Sequence, residues 1–114
     1  MKVNGKSGFS LLEIMIVVTI IGFLAGLAFP AFMKARSTSQ RTRCIDNLRQ
    51  IDGAKDQWAV ENYANNGDEV VGGETAIAPF FKRGWPTCPG GGGYTLNPVG
   101  EDPICSLNSM GHTI

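Results

Sequence analysis

Three cysteines (Cys44, Cys88 and Cys105), one histidine (His112) and one acid set in an apolar run (Glu13) are the side chains here with chemistry to offer. An odd number of cysteines permits at most one intramolecular bridge and leaves one thiol over. Cys88, Cys105 and His112, with Cys44 as a fourth, are ligand types suited to zinc. No CxxC or HxxxH spacing accompanies them, so spacing alone predicts no metal. Cys44 falls on a long helical pattern, where a lone cysteine is ordinarily a small core residue. There is no CxxCH for haem attachment, and Gly90 to Gly93 lack the GKS/T or strand–GxGxxG–helix setting of a phosphate loop. His112, close to the terminus, has no nucleophile–base arrangement around it. No enzyme and no cofactor are expected.

Glu13 is the only charge in residues 9–29, "FSLLEIMIVVTIIGFLAGLAF". Such a run is long enough to cross a hydrocarbon core of about 30 Å. It also exceeds the about 7–15 apolar residues of an ordinary secretory signal, although Lys2 and Lys6 supply a positive start. A carboxylate at the centre of such a helix costs roughly 2.5–3.5 kcal/mol on insertion scales, and less near an end. Two remedies exist, namely snorkelling to the headgroups or pairing with a cation. No Lys, Arg or His lies within the run, so a pairing cation must come from outside it.

The stretch Lys6-Ser7-Gly8-Phe9-Ser10-Leu11-Leu12-Glu13, followed by the apolar run, resembles the N-terminus of type IV prepilins and type II secretion prepseudopilins. The resemblance implies that a prepilin peptidase cuts between Gly8 and Phe9 and that the new amine of Phe9 is methylated. Glu13 then takes the family's acidic fifth position. It would pair with the Phe9 amine of a neighbouring subunit, largely cationic at neutral pH. Gly22 and Pro30 match a Gly and a Pro that bracket a helix stretch able to lose helicity in the fibre. The expected partners are other copies or related pilins in a helical fibre, the prepilin peptidase, an inner-membrane assembly platform and membrane lipid. The expected location is a single pass of the cytoplasmic membrane before assembly and an extracellular or periplasmic fibre afterwards. Positive-inside counting points the other way, since Lys34, Arg36, Arg41 and Arg43 follow the span.

These residues need elements to position them. The chain has 114 residues and no formal net charge, which gives no bulk electrostatic argument for nucleic-acid binding. Beyond Pro30 the pattern becomes amphipathic: Ile45, Leu48, Ile51, Ala54 and Trp58 recur every three or four residues. Asp46–Arg49 and Asp52–Lys55 read as exposed i,i+3 pairs. Asn65-Asn66-Gly67 supplies a stop, with Gly67 as a left-handed cap. One helix over residues 9–66 would run about 87 Å, with a kink expected at Pro30.

The remainder, rich in Gly and Pro, reads as a small lobe. Residues 75–81 form a short helix or turn, and residues 94–96 and 104–106 two short strands. Its "WPTCPGGGGYTLN…G…PICS…GH" pattern is similar to the C-terminal end of many small prepilin-like proteins. The acidic calcium loop of major type II pseudopilins is not visible. In an exported lobe, a Cys88–Cys105 disulfide is favoured and would contribute roughly 3 kcal/mol.

The fold expected is α+β: a long N-terminal helix, membrane-spanning then amphipathic, with a small lobe holding a short helix and a β-hairpin. The divisions are 1–8 as leader, 9–33 as membrane and polymerisation half, 34–66 as amphipathic half, and 67–114 as lobe. The function expected is a pilin or pseudopilin subunit. The alternative is a signal-anchored extracytoplasmic binding module with no assembly role.

Overall fold

The computed structural model describes residues 8–114, so all of the expected leader except Gly8 lies outside the described residues. Helix α1, Leu11–Asn62, is continuous through Gly22, Gly26 and Pro30. It is followed by α2, Glu74–Ile77, and a 3-10 turn, Ala78–Phe80, with Pro79 in its first positions. Two antiparallel strands complete the fold, β1 at Tyr94–Thr95 and β2 at Ile104–Cys105, with a last 3-10 turn at Asn108–Met110. Tyr94 pairs with Cys105 and Thr95 with Ile104. The strands therefore fall where the sequence places them, one residue shorter each.

The described residues divide into two compact units, 8–35 and 36–114. In the described part of the first unit, the large apolar side chains from Phe9 to Met33 are exposed all round the helix. An all-round apolar helix has no water-facing side and needs lipid or other helices about it. The Thr19 hydroxyl donates to the Met15 carbonyl at 2.7 Å, so the span carries its one threonine with the donor satisfied.

The second unit has its core where one stripe of α1 meets the lobe. Ile51, Ala54, Trp58 and Ala59 are buried with Ile77 and Val99. Nearer the N-terminal end of the stripe, Cys44 and Leu48 are buried with Cys88 and Cys105. Ile45, expected on this stripe, is only half-buried, and Cys44 takes the inward position instead.

Two local expectations are corrected. The helix ends at Asn62, not Asn66, because Tyr63 takes a left-handed φ of 54° and the Ala64 N–H closes back onto the Ala59 carbonyl at 2.9 Å. That is the wider of the two Schellman closures, formed here without glycine. Gly67 is left-handed, with φ 94°, but it serves the next turn, its N–H donating to the Val99 carbonyl. Lys55, expected on the exposed side, is fully buried. Its ammonium donates to the carbonyls of Leu96 (2.8 Å), Asn97 (3.4 Å), Pro98 (3.1 Å) and Glu101. Asp52 remains its ion-pair partner at 3.9 Å, while Asp46–Arg49 is an exposed pair at 3.7 Å as expected. Burial pushes the Lys55 ammonium below its ordinary range, opposed by the carboxylates of Asp52, Asp56, Asp102 and Glu101.

Candidate functional site

At the start of α1 the backbone has four N–H groups without helical partners, and the sequence supplies an answer to two of them. The Glu13 N–H donates to Ser10 Oγ at 3.3 Å, and the Ser10 N–H donates to Glu13 Oε2 at 3.0 Å. This reciprocal capping box makes Glu13 a helix-starting residue as well as the lone acid of the span. The Ser10-x-x-Glu13 spacing was the signal that could have revealed it. Gly8 and Phe9 precede the helix in exposed backbone, and among the described residues no heavy atom beyond its chain neighbours lies within 4 Å of a Cβ built on Gly8. Gly22 and Pro30 lie inside the helix, and the helix is unbroken at both.

A second constellation lies where α1 meets the lobe: the four zinc-type ligands that the sequence names but, for want of ligand spacing, does not predict to hold a metal. Cys44 from α1, Cys88 from the loop before β1, Cys105 from β2 and His112 after the last 3-10 turn are all buried. Their ligand atoms lie within 4.8 Å of one another. Cys88 Sγ is 3.5 Å from His112 Nδ1. All three cysteines are free thiols, with Cys88 and Cys105 unbridged. Cys44 is therefore a member of the cluster rather than an isolated core residue, and His112 is buried at 6% exposure rather than lying at a loose end.

The surroundings of the two best-defined thiols differ. Burial pushes the Cys44 thiol up to about 12, opposed by a hydrogen bond with Tyr94. Burial also works against ionisation of Cys88. There, however, hydrogen bonds from the Gly92 and Gly90 N–H groups, and from Cys44 and His112, bring the thiol down to about 7. A side chain at Gly92 would force a shift, and one at Gly90 would be tightly fitted. A Cβ on Gly92 would meet Cys105 Sγ at 2.7 Å, and one on Gly90 would meet Leu107 Cδ1 at 3.0 Å and His112 Cε1 at 3.2 Å. The Tyr94 hydroxyl is fixed from its other side by Asn47 Nδ2 at 3.0 Å.

The model of the prokaryotic N-terminal methylation motif matches residues 3–29. Over 118 aligned positions the chain is 30% identical to type II secretion system core protein G of Escherichia coli (strain K12), covering 93% of this chain and 81% of that protein. The chain belongs to the pilin and pseudopilin family. Fimbrial protein Q of Moraxella bovis is 48% identical over 76 residues, covering 60% of this chain and 48% of that protein. Type IV major alpha-pilin of the same organism is 51% identical over 45 residues, 40% of this chain and 28% of that one. No solved structure matches.

This pilin-family chain is a structural, non-enzymatic subunit of a type II secretion pseudopilus or a type IV pilus. Membership decides against the signal-anchored module with no assembly role. The apolar first half of α1 is consistent with inner-membrane anchoring, and the family implies processing by a prepilin peptidase and assembly with other pilins.

Proposed function

We propose that this subunit is held in the cytoplasmic membrane by residues 9–33, cut between Gly8 and Phe9, and methylated on Phe9. It is then drawn from the membrane into a helical fibre with residues 36–114 outside. In the fibre, Glu13 accepts the charge of a neighbour's Phe9 amine. The supporting observation is the exposed, all-round apolar helix that begins two residues after that peptide bond, with the acid at its first turn. Before cutting, the Phe9 nitrogen is an uncharged amide in the peptide bond to Gly8. Cleavage places a cation at the register of the acid. A buried charge left unpaired costs several kcal/mol, so this pair fixes the stagger between subunits even where its net gain is small. Gly22 and Pro30 are the weak points at which α1 yields on packing into the fibre, since Gly and Pro are the poorest helix formers.

Mass spectrometry of fibres tests the processing. The expected N-terminus is methylated Phe9, and fibres made of chains that still carry Gly8 and the residues before it would overturn the proposal.

A further inference from the structure

We propose that Cys44, Cys88, Cys105 and His112 bind a single zinc ion as a closed, structural Cys3His site that joins α1 to the lobe. Zinc is bound at about 2.3 Å by sulfur and about 2.0–2.1 Å by imidazole nitrogen, which sets tetrahedral donors about 3.5–3.8 Å apart. The Cys88 Sγ–His112 Nδ1 separation of 3.5 Å is one edge of such a tetrahedron, and all four donors fall within 4.8 Å of one another. Three thiolates and one imidazole in that geometry select zinc over hard cations.

The shell around the donors is that of a metal site. Gly90 and Gly92 bring backbone close to the donors, a Cβ on Gly90 lying 3.7 Å from Cys88 Sγ and one on Gly92 2.7 Å from Cys105 Sγ. Tyr94 packs against the cysteines with its hydroxyl held by Asn47 Nδ2 at 3.0 Å. Backbone N–H and hydroxyl groups around a site orient thiolates and stabilise their charge. Binding one Zn²⁺ to three thiols and a neutral imidazole releases three protons and leaves a net charge of −1. Arg41 offers the compensating cation. It lines, with His112, a cavity of about 180 Å³ that gives an ion a path from the surface, and its side chain lies where a Cβ on Gly111 would meet it at 3.0 Å. A Cys88–Cys105 disulfide would use two of the four donors and strand a buried thiol and a buried imidazole beside it. The metal uses all four.

The test takes the full-length protein, purified in detergent, reduced, and loaded with zinc alone. Elemental analysis is expected to find about one zinc per chain, with all three thiols unreactive until a strong chelator is added. Cobalt in place of zinc is expected to give the sulfur-to-metal charge-transfer band and intense visible bands of a tetrahedral thiolate site. His112→Cys should keep the metal and His112→Ala should release it. Tyr94→Phe should weaken zinc binding by about 10-fold, as expected for loss of a group that supports a ligand. Failure to take up zinc, or a fully folded chain from cells with one free thiol and a Cys88–Cys105 bridge, would overturn the proposal. A different metal at unit stoichiometry would overturn the zinc assignment. The wild-type metal count and cobalt spectrum decide the question even if a variant does not fold.

Discussion

The Glu13 carboxylate is already bonded to the Ser10 N–H within its own chain, so pairing with a neighbour's amine is an exchange or sharing of partners. Two substitutions separate its roles. Glutamine at this position of a capping box still accepts the backbone bond but carries no charge, whereas alanine loses both. Glu13→Gln and Glu13→Ala should both reach the membrane and both be cut at Gly8, yet neither should form fibres under the electron microscope. Abundant Glu13→Gln fibres would show that the cap suffices and the charge does not matter. At the other end of α1, Tyr63 holds a left-handed φ while 92% exposed, so its side chain offers little packing in return. Tyr63→Gly should stabilise the protein by about 1 kcal/mol, measured by denaturant unfolding in detergent, by relieving that conformation.

The loop between β1 and β2 buries Val99 and Pro103 in the core and is held as well by polar and backbone contacts. Lys55 gathers the carbonyls of Leu96, Asn97, Pro98 and Glu101, and Gly100 lies so close to Asn66 that a Cβ would meet it at 2.9 Å. Lys55→Met should therefore cost about 3–5 kcal/mol, with the largest loss of amide protection from hydrogen exchange in residues 96–101. This element also shows what could be read in advance. The long helix and the hairpin were legible, because apolar spacing and strand-forming pairs between turn residues leave few alternatives. Lys55 was misplaced because its charge argued for solvent, although Ile51, Lys55 and Ala59 continue the stripe at four-residue spacing. The helix end was missed because a left-handed tyrosine leaves no mark as plain as glycine. The four metal-type ligands were individually visible but were judged by sequence spacing, and only the packing of α1 against the lobe brings them within reach of one ion.

For the molecule as a whole, orientation in the membrane is the point at which general rules disagree. Lys34, Arg36, Arg41 and Arg43 follow the span and by counting would hold the lobe in the cytoplasm. Arg41, however, lies against Gly111 of the lobe. Trypsin added to spheroplasts should cut at the exposed Lys82–Arg83 pair, whereas cutting only in inside-out vesicles would place the lobe in the cytoplasm. A further consequence follows from the buried ammonium of Lys55. Rings of backbone carbonyls are commonly organised by a divalent ion, whose occupancy rises and falls with supply. Here the organising charge is covalently attached to the helix it serves, so it can be neither diluted away nor sequestered. The melting temperature should accordingly be the same in millimolar calcium and in a calcium-selective chelator. A filament built from such protomers would keep this loop in order in soft water and seawater alike.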